Sequence, residues 1–73
     1  MDKEEWRSFV RWLDQANPKE LRMRRTRLTE LRRDLDDRDL RSEVGRMVRL
    51  IEQELLAREG IAQRLKGKRS QGA

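Results

Sequence analysis

The 73-residue sequence has no cysteine, no histidine and no tyrosine. Without cysteine there is no disulfide, and without cysteine or histidine there is no thiolate or imidazole metal site and no Cys or His nucleophile/base chemistry. The commonest acid-base side chain is therefore missing, and the hydroxyls reduce to Ser8, Thr26, Thr29, Ser42 and Ser70. Carboxylates are plentiful, but each has a basic residue within four positions, which is the pattern of paired surface charge rather than of a tuned acid/base dyad. A non-enzymatic protein is expected, with no cofactor, no metal and no small-molecule substrate.

Long apolar runs are also missing. No stretch approaches the ~20 residues of a membrane span, and the opening residues MDKEEW are acidic, unlike a basic segment leading into an apolar one. No export signal and no membrane partner are expected, and a cytoplasmic location follows. Apolar residues are 34% and charged residues 45% of the chain. A monomer below roughly 70 to 80 residues has a marginal core without a disulfide, a metal or a second subunit. With the first two removed, self-association, most simply a homodimer, is the expected source of added stability.

What is present is helical in period, and an all-α chain of three helices is expected, at about 2–16, 18–35 and 39–59 or longer. Asp2 stands three residues before Glu5, the spacing of a capping box. From there Trp6, Phe9, Val10, Leu13 and Ala16 recur at i, i+3, i+4 and i+7, with Trp12 at the edge of the same arc. Pro18, the only proline, disfavours helix at Asn17 and starts a second helix that Asn17 caps. That helix carries Leu21, Leu28, Leu31 and Leu35 as a narrow heptad seam, with Arg24 in the remaining core position.

The short polar segment Asp36–Asp39 offers Asp37 or Asp39 as cap for a third helix. So short a loop folds helices 2 and 3 into an antiparallel hairpin. Leu40, Val44, Met47, Val48, Leu50, Ile51 and Leu55 cover an arc of roughly 160° on helix 3, wide enough for two neighbours. Gly60 followed by Ile61 matches a C′ glycine with its apolar follower and predicts a helix end near Glu59, although Ile61, Ala62 and Leu65 could add a turn. One helical domain, 1–65, is expected to precede a flexible basic tail, 66–73. The pairing of helices 2 and 3 sets Arg24 roughly level with Glu54, so Arg24–Glu54 or Glu54–Arg58 is the expected charge pair of the seam. In architecture alone, a charged helical hairpin that dimerises resembles small RNA-binding four-helix bundles.

Fifteen arginines stand against four lysines, and charge is segregated: Lys19–Leu35 carries a net +4, Asp36–Glu59 a net −2, and the segment from Gly60 another +4. Guanidinium groups hold phosphates bidentately, and each contact releases a counterion. On a helical wheel centred on Leu28, Arg25 and Arg32 lie about 40° to 60° to one side and Arg22 and Arg33 about 120° to 140°. Arg22, Arg25, Arg32 and Arg33, joined by Lys66, Lys68 and Arg69, are the candidate nucleic-acid contacts. A plainer account is a mixed-charge solvated face in which Glu20, Glu30, Asp34 and helix 3 neutralise these arginines, or an arginine excess set by coding bias. A helix-turn-helix presenting Lys19, Arg22 and Met23 is a further option, though the turn lacks the usual glycine.

Trp6 and Trp12 read first as core anchors. Trp12, at the edge of its arc, is also the candidate protein interface. The alternative to a nucleic-acid-binding regulator is thus an adaptor or inhibitor that meets an acidic or helical protein surface through Trp12 and arginine anchors. The two readings differ in where the arginines point: unpaired along one face for nucleic acid, or locked in internal pairs beside an exposed Trp12 for a protein.

Overall fold

A computed structural model of the chain describes residues 2–71, and the side chains of residues 2–60. Its elements are α1 (Lys3–Gln15), α2 (Pro18–Asp34) and α3 (Arg38–Gln71), with no strand among the described residues. The start signals act as their chemistry requires. Asp2 Oδ1 accepts the amide of Glu5 at 2.8 Å, and Asp37 Oδ1 accepts those of Asp39 and Leu40. Asn17 and Glu20 bond twice, the Asn17 Oδ1 accepting the Glu20 amide at 2.8 Å and its Nδ2 donating to Glu20 Oε1 at 2.7 Å. Each backbone contact satisfies a donor that the first helical turn leaves without a partner.

Helices α2 and α3 pack closely as an antiparallel hairpin. Arg32, near the end of α2, reaches the Arg41 carbonyl near the start of α3, while Arg58, far along α3, reaches Leu13 and Ala16 just before α2. The core is small: Phe9, Ala16, Leu21, Val44, Met47 and Ile51 are its buried residues, with Leu21 and Ile51 fully enclosed. Trp6, Trp12, Leu13, Leu28, Leu50 and Leu55 pack around it half-buried. Each enclosed aliphatic side chain contributes about 1.5–3 kcal/mol against exposure, so few residues carry the fold.

α1 lies across one flank of the hairpin. Trp6 meets Phe9 edge-on, Phe9 stacks on Trp12, and Arg46 of α3 stands 5.4 Å from the Trp6 ring. Val10, expected on the apolar face, is 52% exposed, because the face that docks is centred on Phe9 and Ala16 and Val10 lies past its edge. Leu31 and Leu40 are likewise about half exposed, the first beyond the reach of α1 and the second at the hairpin end.

Two further expectations are corrected. Gly60 does not end a helix: α3 continues through it, and none of the described residues has a positive φ. One glycine inside a helix costs about 1 kcal/mol relative to alanine, and the strong helix formers on both sides of it outweigh that. α3 thereby takes in the first part of the segment 66–73 set apart as a tail. Arg24 does not pair with Glu54 either. The rings of α1 occupy its flank, and Glu54 pairs with Arg58 on its own helix at 3.0 Å, the other of the two pairs expected.

Candidate nucleic-acid interface

The second flank of the hairpin is left open by α1, and the arginine stripe lies along it. One end of this groove is lined by Arg22 and Arg25 against Glu52, Leu55, Leu56, Arg58 and Glu59, the other by Arg32 and Arg33 against Arg41, Val48 and Glu52. The four positions singled out from periodicity therefore share one surface. Arg22, Arg32 and Arg33 are exposed and Arg25 is half-buried. Lys66, Lys68 and Arg69, the remaining candidates, lie outside the residues whose side chains are described.

The distribution of acid around α2 decides what this surface is electrostatically. Measured from Leu28, the stripe occupies one side of the wheel from about 40° to 140°, whereas Glu20, Asp34 and Glu30 fall at about 80° to 160° on the other. None of Arg22, Arg25, Arg32 and Arg33 has a carboxylate at ion-pair distance among the described residues. No carboxylate of α2 itself lies on this flank, and the acids that line it come from α3. Across the groove, Glu52 of α3 lines both ends and Glu59 the end that holds Arg22 and Arg25, neither at ion-pair distance from the stripe.

Not every basic residue is free. Arg58 donates from Nε to Glu54 and from its two terminal nitrogens to the carbonyls of Ala16, Leu13 and Asp14. It caps the C-terminus of α1, whose last turn has no cation of its own. Arg32 donates from Nε to the Arg41 carbonyl at 3.2 Å, which fixes its position and leaves its two terminal nitrogens without partners among the described residues. Thr26 and Thr29, on the same flank, donate their hydroxyls to the Arg22 and Arg25 carbonyls, so neither hydroxyl proton is available to a phosphate.

Sequence reasoning missed Gly45. A Cβ there would stand 3.2 to 3.4 Å from the guanidinium of Arg32, so the bare backbone lets that group lie close against α3 without shifting. The signal was present: a lone glycine inside a strongly helical run, unfavourable by about 1 kcal/mol, calls for a packing reason.

Trp12 is half-buried between the Phe9 ring and the Arg24 guanidinium, which stands 4.4 Å from its centroid. The same guanidinium lies 5.3 Å from the centroid of Phe9. Beyond it a shallow surface holds Met23, Leu28 and Leu31, with Met23 49% and Leu31 48% exposed. Glu20, Arg24 and Arg27 line it too, so this side of α2, away from the arginine stripe, is mixed apolar and charged. No residue cluster suited to a metal ion occurs among the described residues, and none of their helices is long and apolar enough to cross a membrane.

Comparison with known protein families, with curated proteins and with solved structures gives no match.

Proposed function

We propose that this chain is a small non-enzymatic protein that binds nucleic acid through the phosphate backbone. The observation that carries the reading is the flank of α2 on which Arg22, Arg25, Arg32 and Arg33 lie together without a carboxylate partner. Guanidinium groups without an internal carboxylate break no ion pair on meeting a phosphate, and each contact releases counterions from the polyanion. Lys66, Lys68 and Arg69 extend the same charge along the sequence.

The contact is with backbone rather than bases. The outermost direction of α2, opposite Leu28, carries Glu30 beside Thr26 and Lys19, and inserting that ridge into a major groove would drive a carboxylate toward the phosphate-lined walls. This argues against α2 as a recognition helix and for one flank lying along a strand. Fluorescence anisotropy of labelled duplex DNA and RNA tests the proposal: binding at low ionic strength that weakens steeply with salt supports it, and no binding at low salt overturns it.

Self-association belongs to the same proposal. A second copy on the arginine flank would bring its four arginines together, whereas the opposite side offers a homodimer the apolar area of Trp12, Met23, Leu28 and Leu31 with charges of both signs, Glu20 and Arg27, beside it. The proposed site of action is the cytoplasm, where nucleic acid is accessible.

A further inference from the structure

We infer that the end of the groove over Gly45 is a phosphate-binding cradle in which Arg32, Arg33 and Arg41 hold a single phosphate dianion. The inference rests on the nucleic-acid reading for its context and goes beyond it in naming a discrete anion site.

Three observations meet at this place. Arg32 and Arg33, from the last turn of α2, and Arg41, from the first turn of α3, line one concavity with Thr29, Gly45, Val48 and Glu52. Arg32 is held by its Nε bond to the Arg41 carbonyl at 3.2 Å, so its terminal N–H groups are positioned without being used. Its guanidinium packs closely over Gly45, where a Cβ would stand 3.2 Å from the nearest atom and make it give by a few tenths of an ångström.

The helix ends separate a structural role from a binding role. Cations are stabilising at a helix C-terminus, which accounts for Arg32 and Arg33 in α2 without any ligand. Arg41 has no such account. It sits in the opening turn of α3, where a cation is disfavoured and an anion is favoured. The free amides at that end of α3 are taken by the Asp37 carboxylate, so a phosphate here would be held by the three guanidinium groups and would satisfy Arg41. The charges also match: three guanidinium groups against the one carboxylate of Glu52 leave a surplus suited to a phosphate monoester, which carries about −1.5 to −2 at pH 7, better than to a single diester.

The source of that phosphate is either the terminal phosphate of a nucleic acid or a free phosphate ion. The test uses the full chain, inorganic phosphate as one probe and matched 5′-phosphorylated and 5′-hydroxyl oligonucleotides as the others, with arginine Nε signals followed by NMR. Saturable shifts confined to Arg32, Arg33 and Arg41 are expected. G45A, which leaves every charge in place, is expected to weaken phosphate binding about ten-fold, the worth of roughly one charge-assisted hydrogen bond, while thermal stability stays level or rises. R41Q is expected to weaken binding similarly, and E52Q to tighten it.

Shifts spread evenly over all arginines, or G45A and R41Q that bind phosphate as the native chain does, would overturn the cradle. Tighter binding of the 5′-phosphorylated strand identifies the terminal phosphate, whereas equal binding of both strands with saturable inorganic phosphate identifies the free ion, and either result supports the site. Salt-dependent binding of both oligonucleotides with no phosphate saturation removes the cradle and leaves the nucleic-acid reading intact. Phosphate binding with no oligonucleotide binding does the reverse.

Discussion

The guanidinium of Arg58, well past the middle of α3, donates to the carbonyl of Leu13 at 3.1 Å, in the last turn of α1. One side chain thereby connects the third helix to the end of the first and takes up carbonyls that the missing next turn of α1 would have bonded. Its charge is balanced by Glu54 one turn back. With six buried core residues among the described ones, this polar clasp adds to the packing of Phe9 and Ala16 in holding α1 in place.

R58A is expected to lower unfolding free energy by about 2 kcal/mol, the scale of charged hydrogen bonds at a helix C-terminus. Urea titration followed by far-UV circular dichroism measures it. R58K keeps the charge but not the fork, and recovery of full stability by lysine would show that the carbonyl contacts are dispensable.

Arg24 and Trp12 form the second cross-helix contact. A double-mutant cycle with R24M and W12L is expected to give a coupling of about 0.5–1 kcal/mol, the range for a half-exposed cation–π pair. A coupling of zero would mean that the two groups are merely adjacent.

L21A is expected to cost about 2–5 kcal/mol, because the site is fully enclosed and its neighbours come from other helices. For so small a domain that is enough to unfold it, and the disappearance of cooperative melting is the readout. L31A, at a half-exposed position on the same seam, is expected to change the melting of the monomer little.

How far the sequence alone anticipated this arrangement varies by element. Asp2, Asn17 and Asp37 announce helix starts because capping is local chemistry within three or four residues. The hairpin follows from a short loop between two seams, and the arginine stripe from periodicity alone. What periodicity could not give was the side on which α1 docks, and that choice sent Arg24 to the rings of α1 instead of to Glu54 and left Val10 exposed. Gly60 misled because a C′ signal is also local, and the helix-forming residues beyond it prevail. Gly45 was passed over because its role depends on a side chain from another helix.

Sedimentation equilibrium across a concentration series tests self-association through the apolar side of α2. A dimer is expected that L31E and M23E weaken, while changes on the arginine flank leave it unchanged. A native chain that stays monomeric at high micromolar concentration removes the homodimer from the account.

The central claim is that the arginine flank of α2 meets phosphate, and its most direct test is the salt dependence of duplex binding by the native chain and by R22Q/R25Q/R33Q. For each phosphate that no longer meets a guanidinium, the slope of log affinity against log salt is expected to become shallower by about 0.9, so by about 2.7 for the three. This variant leaves Arg32, Arg58 and Arg24 in their structural roles, so its fold should be preserved, with loss of the Arg33 charge at the end of α2 lowering stability by about 0.3–1 kcal/mol. An unchanged slope with the variant still folded would contradict the account and place the binding surface elsewhere on the molecule.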